Sequence, residues 1–424
     1  MRDVDFSAIM ERMRASVRKS HDRIREALEK AEDFDFYSGE AHFTGDYTLE
    51  VSPVSEGHRH PHSATGGSSP SSGDHGGRRH KSATGPDEKP RPIRGKTIIL
   101  ASGARPLVPQ VKGIEGIEYL TNESALRLEE RPESMVIIGG GYIAAEFAHF
   151  FEAMGTKVTI IQRNRRLVPE EEPEVSESLR IALARRMTVL TGTEVVEVRQ
   201  TGKVTTVLAR ERESGKQREF TVRYVLLAAG RRSNADVLMV ANTGVKTDER
   251  GYIAVDEYFE TTKKNIWAFG DAIGKKMFRH AANHEAELLW HNAVHGKKSK
   301  MNYLAVPHAV FSWPEIASVG LTEEQAVKVM GKKELLIGKA MYTDVARGEA
   351  MMETEGFAKA IVHRKTGKIL GYHIIGPQAS VLIQEVVNAM AVDANLWAVA
   401  KGIHIHPALS EVVLKPFGKL RDLD

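Results

Sequence analysis

A short glycine-rich stretch is the first part of this sequence whose residue types and spacing could do chemistry. Gly139, Gly141 and Ala144 match the pattern G-x-G-x-x-G/A, between an apolar run, Met135 to Ile138, and a stretch of helical periodicity, Tyr142 to Met154. The first glycine permits a tight turn, the second lets backbone approach a pyrophosphate, and the small alanine lets helix and strand pack closely. Free N–H groups at the start of such a helix bind phosphates. The pattern predicts a dinucleotide site.

The residues about 20 positions beyond such a turn select the nucleotide. An acidic residue there would bind the ribose hydroxyls and repel a 2′-phosphate. This sequence has Gln162 instead, followed by Arg163, Arg165 and Arg166. Guanidinium groups form paired hydrogen bonds with phosphates. The pattern favours NADP over NAD, and the alternative is that these arginines belong to a solvated loop.

Composition excludes several other kinds of chemistry. The 424 residues contain no cysteine, so the sequence offers no disulfide, thiolate metal site or thiol nucleophile. A net charge of +3 is small for this length, and nucleic acid is not an expected partner. No apolar stretch approaches the roughly 20 residues that cross a bilayer. The N-terminus has no signal-peptide core, so we expect a cytoplasmic protein.

The elements that must position the glycine turn can be predicted from periodicity. A helical stripe opens the chain, and its apolar residues are Phe6, Ile9, Met10, Met13 and Val17. The segments AHFTGDYTLEV and GKTIILASG predict a β meander. Residues 53–92, between them, are rich in Ser, Gly, Pro and His, and we expect a disordered insertion. Its histidines could bind a divalent metal, but nothing fixes a ligand geometry, so the preferred interpretation is a solvated linker.

From Ser134 onward, strands and helices alternate as in a βαβ unit. TVRYVLLAAG predicts a further buried strand, and from about Met301 the sequence becomes strand-rich and ends in helices. The length alone favours two or three domains.

Several motifs, taken in order, resemble those of the flavoprotein pyridine nucleotide-disulfide oxidoreductases, which include dihydrolipoamide dehydrogenase and the glutathione, mycothione and mercuric reductases. They are ILASGARP (99–106), GGGYIAAEFAH (139–149), AAGRRSN (228–234), NIWAFGDA (265–272), MFRH (277–280) and HIHPALSE (404–411). The resemblance implies an α/β fold. It comprises two Rossmann-like nucleotide-binding domains, the first incomplete, and a C-terminal α+β dimerisation domain.

The resemblance also implies domain boundaries and cofactor contacts. Residues 1–125 would form a partial FAD-binding domain with the insertion, 126–245 an NAD(P)-binding domain, 246–300 the return to the FAD domain, and 301–424 the dimerisation domain. Tyr142 would cover the nicotinamide and Glu146 would lie beneath it. The residues implied for NADP or NAD are Gly139, Gly140, Gly141, Tyr142, Ile143, Ala144, Glu146, Gln162, Arg163 and Gly230. Those implied for FAD are Ser102, Gly103, Asp271, Met277 and His280.

His406 and Glu411 are the implied catalytic residues. An imidazole can take and return a proton at neutral pH, and a carboxylate partner fixes its tautomer. In the family this histidine protonates the substrate thiolate and is oriented by the glutamate five residues later. The family places this pair across a dimer interface. The resemblance therefore implies a homodimer acting on a small disulfide.

Two family elements are not found in this sequence: a first G-x-G-x-x-G for the ADP half of FAD, and a redox pair spaced C-x-x-x-x-C. We therefore expect an N-terminal truncation of at least ~30 residues, the size of one βαβ unit. FAD retention then becomes doubtful, and the polypeptide as written would not reduce disulfides. The predicted function is an NAD(P)H-dependent flavoprotein disulfide oxidoreductase, and the alternative is a catalytically degenerate NAD(P)-binding dimer. Metal-ion reduction is disfavoured because it also needs thiolates.

Overall fold

The computed structural model describes residues 4–31, 35–37, 39–52 and 90–423. They divide into two compact units. The larger unit consists mainly of Pro106–Arg231 and Asn302–Asp424, and the smaller of Asp5–Arg105 and Arg232–Met301. Most of the expected insertion, residues 53–89, lies outside the described residues, as do its histidines.

Helix α1 (Phe6–Glu29) opens the smaller unit, and its first turn is capped by the Asp5 carboxylate, which accepts from Ala8 N at 2.9 Å. Phe6 and Met10 of the predicted apolar stripe are buried, but Val17 is 53% exposed. The prediction of one continuous packing face was therefore wrong beyond the first turns. The rest of the helix is solvated and carries ion pairs along its surface, such as Arg25 with Glu29.

The predicted meander is confirmed for its first two strands, which pair with a third in the antiparallel order β1-β2-β3. They are β1 (Glu40–Gly45), β2 (Thr48–Ser52) and β3 (Arg91–Arg94). The third strand precedes GKTIILASG and includes Arg91 and Pro92, so the predicted insertion was wrong at its C-terminal end. Pro92 is tolerated there because β3 is an edge strand. The next strand, β4 (Ile98–Leu100), was wrongly assigned to the meander, because it pairs in parallel with residues 266–268. Strand β5 (Ala104–Pro106) follows it.

The first part of the larger unit is a Rossmann-like domain. Its elements are β6 (Tyr119–Leu120), β7 (Ser134–Ile138), α2 (Tyr142–Ala153), β8 (Lys157–Ile161), α3 (Pro173–Ala184), β9 (Thr188–Leu190), β10 (Thr193–Thr201), β11 (Val204–Glu211), β12 (Gln217–Val222) and β13 (Tyr224–Leu227). Five parallel strands have the order β6-β13-β7-β8-β9. Strands β10, β11 and β12 form a separate antiparallel sheet. The central strands β7 and β13 are almost continuously apolar, SMVII and YVLL, because parallel strands are covered on both faces.

The chain then returns to the smaller unit. The elements there are β14 (Arg231–Ser233), β15 (Ile266–Ala268), a 3₁₀ helix (Gly270–Ile273) and α4 (Arg279–His295). Strand β15 pairs in parallel with β4, so the carboxyl ends of these two strands meet at one edge. Ligands of open parallel sheets bind at such an edge.

A C-terminal α+β domain completes the larger unit. It contains β16 (His308–Val310), β17 (Ile316–Gly320), α5 (Glu323–Met330), β18 (Leu335–Met341), α6 (Ala346–Ala350), β19 (Phe357–His363), β20 (Ile369–Ile375), α7 (Ala379–Leu382), α8 (Gln384–Ala391), α9 (Trp397–Ala400), α10 (Glu411–Leu414) and β21 (Arg421–Asp422). The six strands are antiparallel in the order β16-β17-β20-β19-β18-β21. Helices α7 to α10 contribute to the core beside this sheet. Among the helices in the described part of the chain, none has the length and apolarity to cross a membrane.

Candidate functional site

The glycine turn lies between the carboxyl end of β7 and the first residue of α2. Gly139 has a φ of +121° and donates its N–H to Ile161 O at 2.9 Å. A Cβ at this position would lie 2.1 Å from the Ala228 carbonyl oxygen, so both conformation and space require glycine. A Cβ at Gly140 would lie 2.8 Å from the Gln162 side chain. The backbone thus passes close to its neighbours at the first two glycines.

Gly141 is different, because a Cβ there would meet no atom within 4 Å. It is the N-cap of α2 and provides no side chain for the N–H groups of the first helical turn. Ala144 is fully buried one turn further on, so it allows the helix to pack closely. An uncapped helix N-terminus facing open space fits the pyrophosphate of a dinucleotide. The residues present therefore fit NAD(P).

Gln162 follows β8 and is only 6% exposed. Its amide Nε2 donates to the Arg166 carbonyl at 3.3 Å, so the side chain is held under the loop that follows. All three nearby arginines are exposed. Arg165 pairs with Glu213 at 2.5 Å and Arg166 with Glu324 at 3.2 Å, whereas Arg163 directly follows Gln162.

Tyr142 and Ile143 form the start of α2 and are partly buried. One turn later, Glu146 Oε1 accepts from Phe311 N at 3.0 Å. Burial raises the pKa of Glu146, and the bond from Phe311 only partly offsets this. Gly230, after β13, has a φ of +122° and accepts from Leu107 N at 3.0 Å. It marks the point at which the chain leaves the sheet.

Three of the residues implied for FAD, Ser102, Gly103 and Asp271, follow the paired strands β4 and β15. Asn234 joins the segment after β4 in two ways: its Nδ2 donates to Ser102 O at 2.8 Å, and its N–H to Gly103 O at 3.2 Å. Ser102 Oγ is buried without a hydrogen-bond partner among the described residues. Asp271, after β15, lies in the 3₁₀ helix whose first N–H, at Gly270, donates to the buried Glu285 at 2.7 Å. The unsatisfied Ser102 hydroxyl after β4 and the Asp271 carboxylate after β15 are polar groups that fit the flavin end of FAD.

The other two residues implied for FAD precede and begin α4. Tyr252 OH lies 3.7 Å from Met277 Sδ, and the exposed His280 ring stacks on Phe278 with centroids 5.6 Å apart. Neither contact indicates a ligand. The 424 residues contain one G-x-G-x-x-G/A pattern, the one that begins at Gly139.

His406 and Glu411 form a close pair in the larger unit. His406 Nδ1 lies 3.0 and 3.2 Å from the two carboxylate oxygens of Glu411, and the imidazole is 68% exposed. Glu411 Oε2 also accepts from Ala408 N at 3.1 Å. The hydrogen bond from His406, with that from Ala408, holds the pKa of Glu411 below its usual value. A fixed carboxylate behind an exposed imidazole can support proton transfer.

Sequence reasoning missed two polar groups of the larger unit. His404 Nε2 lies 3.1 Å from Glu385 on α8, with the imidazole 9% exposed. Glu171, Glu172 and Lys359 are buried between the two domains of the larger unit. A lysine within the apolar run FAKAIV was an available signal. In the described part of the chain, no three His, Asp or Glu residues are grouped as metal ligands.

Comparison with known families gives two matches. The model described as pyridine nucleotide-disulphide oxidoreductase matches residues 67–295, and the dimerisation-domain model of the same name matches residues 306–416. Together they cover the glycine turn, the β4 and β15 edge and the histidine–glutamate pair.

Individual proteins show the same similarity. Mycothione reductase of Mycobacterium tuberculosis is 37% identical over 324 residues, 74% of this chain and 68% of that protein. Dihydrolipoyl dehydrogenase of Bacillus subtilis is 33% identical over 319 residues, 75% of this chain and 67% of that protein. Among solved structures, the Cu(II) complex of the HOCl-induced flavoprotein disulfide reductase RclA from Escherichia coli matches with a TM-score of 0.81 and 25% identity. That match covers 98% of this chain and 86% of the other.

Proposed function

Because this chain belongs to the pyridine nucleotide-disulphide oxidoreductase family, a family of FAD-dependent enzymes that act on sulfur groups with NAD(P)H, we propose that it binds NADPH at the turn 139–141 and works as a homodimer. The observation that carries this proposal is the open space at Gly141, in front of the uncapped start of α2. A phosphate there is stabilised by free N–H groups and by the helix dipole.

Arg163 supports the choice of NADPH over NADH. Arg165 and Arg166 are already engaged with glutamates, and Arg163 lies at the end of β8, where a ribose 2′-phosphate is read in this fold. Gln162 adds no negative charge that would repel that phosphate.

Asp271 and the segment at Ser102 and Gly103 would hold part of FAD, which when bound would supply a two-electron carrier between the nicotinamide and an acceptor. The protein residues orient and shield the reactants. Tyr142 would cover the nicotinamide pocket, and Glu146 would provide a polar group beneath it.

His406 and Glu411 would carry the acid–base part of the family reaction. Glu411 accepts from Nδ1, so Nε2 is left to exchange a proton with a sulfur of a small disulfide substrate. The 424 residues contain no thiol, so we propose that this polypeptide contributes nucleotide binding and proton transfer, not thiol–disulfide exchange.

A second candidate is a catalytically degenerate NADPH-binding dimer. It is favoured by the absence of cysteine from the sequence and by the single glycine fingerprint. The two candidates differ in whether the chain retains a flavin that NADPH can reduce.

The deciding experiment is anaerobic reduction of the purified chain after reconstitution with FAD. The enzyme proposal predicts a bound-flavin spectrum that NADPH bleaches faster than NADH does, and NADPH oxidation when a quinone is added. NADPH binding without retained flavin would favour the degenerate dimer. Failure to bind either nucleotide would contradict both candidates.

A further inference from the structure

The loop between β8 and α3, residues 163–172, contacts the nucleotide turn at one end. Val168 N donates to Gly140 O at 2.6 Å, which fixes the carbonyl of the middle glycine. Val168 has a φ of +38°, a conformation that β-branched residues avoid, so its surroundings must hold it there. Leu167 and Val168 are almost fully buried, and Ser176 Oγ donates to Leu167 O at 2.6 Å. This end of the loop is therefore closely packed.

The other end of the loop is anchored in the C-terminal domain by Glu171, which is 4% exposed. Glu171 Oε1 lies 2.5 Å from His308 Nε2, and Oε2 accepts from Ser318 Oγ at 2.5 Å. Ser318 Oγ in turn lies 3.0 Å from Nδ1 of the buried His373. Burial alone would raise the pKa of Glu171, but His308 and Ser318 outweigh it and leave that pKa below its usual value. The carboxylate is thus held in place by groups on β16 and β17.

Glu172, 1% exposed, makes the second anchor. Its Oε2 lies 2.8 Å from Nζ of Lys359 on β19, and its Oε1 accepts from Glu323 N. Lys359 is itself 3% exposed and also pairs with Glu323 at 2.7 Å and Glu174 at 3.1 Å. Burial would lower the pKa of Lys359, but Glu172 and its neighbours outweigh it and raise that pKa. All three partners of the ammonium group are carboxylates.

The energetics of these buried ion pairs favour a role in positioning the loop over a role in stabilising the fold. Burying two charges costs almost as much as their attraction returns, so a buried ion pair is seldom more stable than well-packed apolar residues. Its hydrogen bonds, however, fix directions that apolar contacts do not. What residues 163–172 gain is a defined position relative to β17 and β19.

We propose that Glu171, Glu172 and Lys359 are positioning residues for nucleotide binding, which fix residues 163–172 to the C-terminal domain and thereby hold Gly140 in its binding geometry. This inference rests on the proposed nucleotide site. Because coupling between two sites is reciprocal, bound NADPH must in turn stabilise the contact between residues 163–172 and the C-terminal domain.

The test is NADPH affinity by calorimetry for the full chain and for variants at the two anchors. Glu171→Gln removes the first charge without changing shape. At the second anchor, Lys359→Met alone would leave the buried Glu172 carboxylate without its partner and could prevent folding. The double variant Glu172→Gln with Lys359→Met removes both charges, so that no buried charge is left unpaired. The matched control is Arg185→Met, which breaks the exposed Arg185–Glu355 pair between the same two domains.

The expected result is a Kd for NADPH raised about 10-fold in Glu171→Gln and in the double variant, within the usual range of coupling between sites, and less than doubled in the control. Amide hydrogen exchange of residues 134–153 should rise in the two anchor variants without nucleotide. In the unsubstituted chain, saturating NADPH should slow exchange in residues 357–375.

Anchor variants that are folded and bind NADPH with unchanged Kd would overturn the positioning role and leave the nucleotide site intact. Unchanged exchange at residues 357–375 would contradict the reciprocal coupling. A chain that binds no nucleotide at all would overturn the nucleotide site, and this inference with it.

Discussion

At His406, the neighbouring carboxylate decides which ring nitrogen carries the proton. A carboxylate whose pKa is lowered is ionised at neutral pH and can only accept hydrogen bonds. Its two short contacts to Nδ1 therefore require Nδ1–H, and the lone pair of a neutral imidazole is on Nε2. This is the nitrogen available to a substrate.

Glu411→Gln should disturb that arrangement. The amide can accept through oxygen or donate through nitrogen, so the neutral His406 ring should become a mixture of tautomers. Long-range proton–nitrogen spectra of protein with labelled histidine measure this directly. Glu385→Gln is the control and should change the signals of His404 but not those of His406. A His406 tautomer that stays the same in Glu411→Gln would show that the carboxylate does not set it.

Arg163→Ala tests whether Arg163 binds the 2′-phosphate of NADPH. Losing a charged hydrogen bond, worth about 1.5–3 kcal/mol, should raise the Kd for NADPH at least ~10-fold. The Kd for NADH should change less than twofold, because NADH lacks the 2′-phosphate. The control is Arg165→Ala, because Arg165 is already paired with Glu213 in the unsubstituted chain. Equal losses for both nucleotides, or tighter NADH binding by the unsubstituted chain, would contradict a preference for NADPH.

At the scale of elements, the β7–turn–α2 unit depends on a conformation that only glycine adopts easily. Gly139→Ala adds strain of about 1–3 kcal/mol at its positive φ and forces a Cβ against Ala228 O. We expect the thermal midpoint to fall by several degrees. Gly202→Ala, at a φ of +60° with no atom within 4 Å, should lower it less. Equal stability losses in circular dichroism melts would mean that the close approach at Gly139 is relieved at no cost.

Much of the local secondary structure around the glycine turn could be predicted from the sequence. The glycine spacing, the apolar run before it and the helix after it all indicate one local unit, and the parallel strands, helix and turn are where the pattern placed them. The predicted site residues stay predictions, since their roles depend on ligands.

The rest depended on contacts between distant segments. The run Glu170, Glu171 and Glu172 is typical of a solvated surface, yet two of these residues are buried against β17 and β19. The antiparallel sheet β10-β11-β12 was not anticipated, although alternation around Thr201-Gly202 indicates a hairpin. Pairing of β4 with β15 joins residues that are 168 positions apart, such as Ile98 and Ile266, and a three-residue run carries no signal of its partner.

At the scale of the whole molecule, the exposed apolar residues beside His406 bear on assembly. Ile403 is fully exposed and Ile405 is 78% exposed, on a domain matched by a dimerisation-domain model. Apolar side chains exposed together often mark an interface. They support the proposed homodimer.

Ile405→Glu should therefore weaken the dimer. In sedimentation velocity, the unsubstituted chain should behave as a particle of twice the chain mass of 46.9 kDa, and the variant should shift toward one chain mass. Val329→Glu, at an exposed position on α5, is the control and should stay dimeric. A variant that remains fully dimeric would place the interface elsewhere.

Nucleotide binding at the turn is the claim on which the others depend, and Gly141→Val tests it most directly. Gly141 has an ordinary φ of −80°, and a Cβ there meets no atom within 4 Å, so valine should leave the fold intact, with only a small loss of stability at the helix N-cap, while occupying the place of the pyrophosphate. Titration should give a Kd for NADPH raised ~100-fold or more, about 2.7 kcal/mol. A folded Gly141→Val variant that binds NADPH as tightly as the unsubstituted chain would contradict the account.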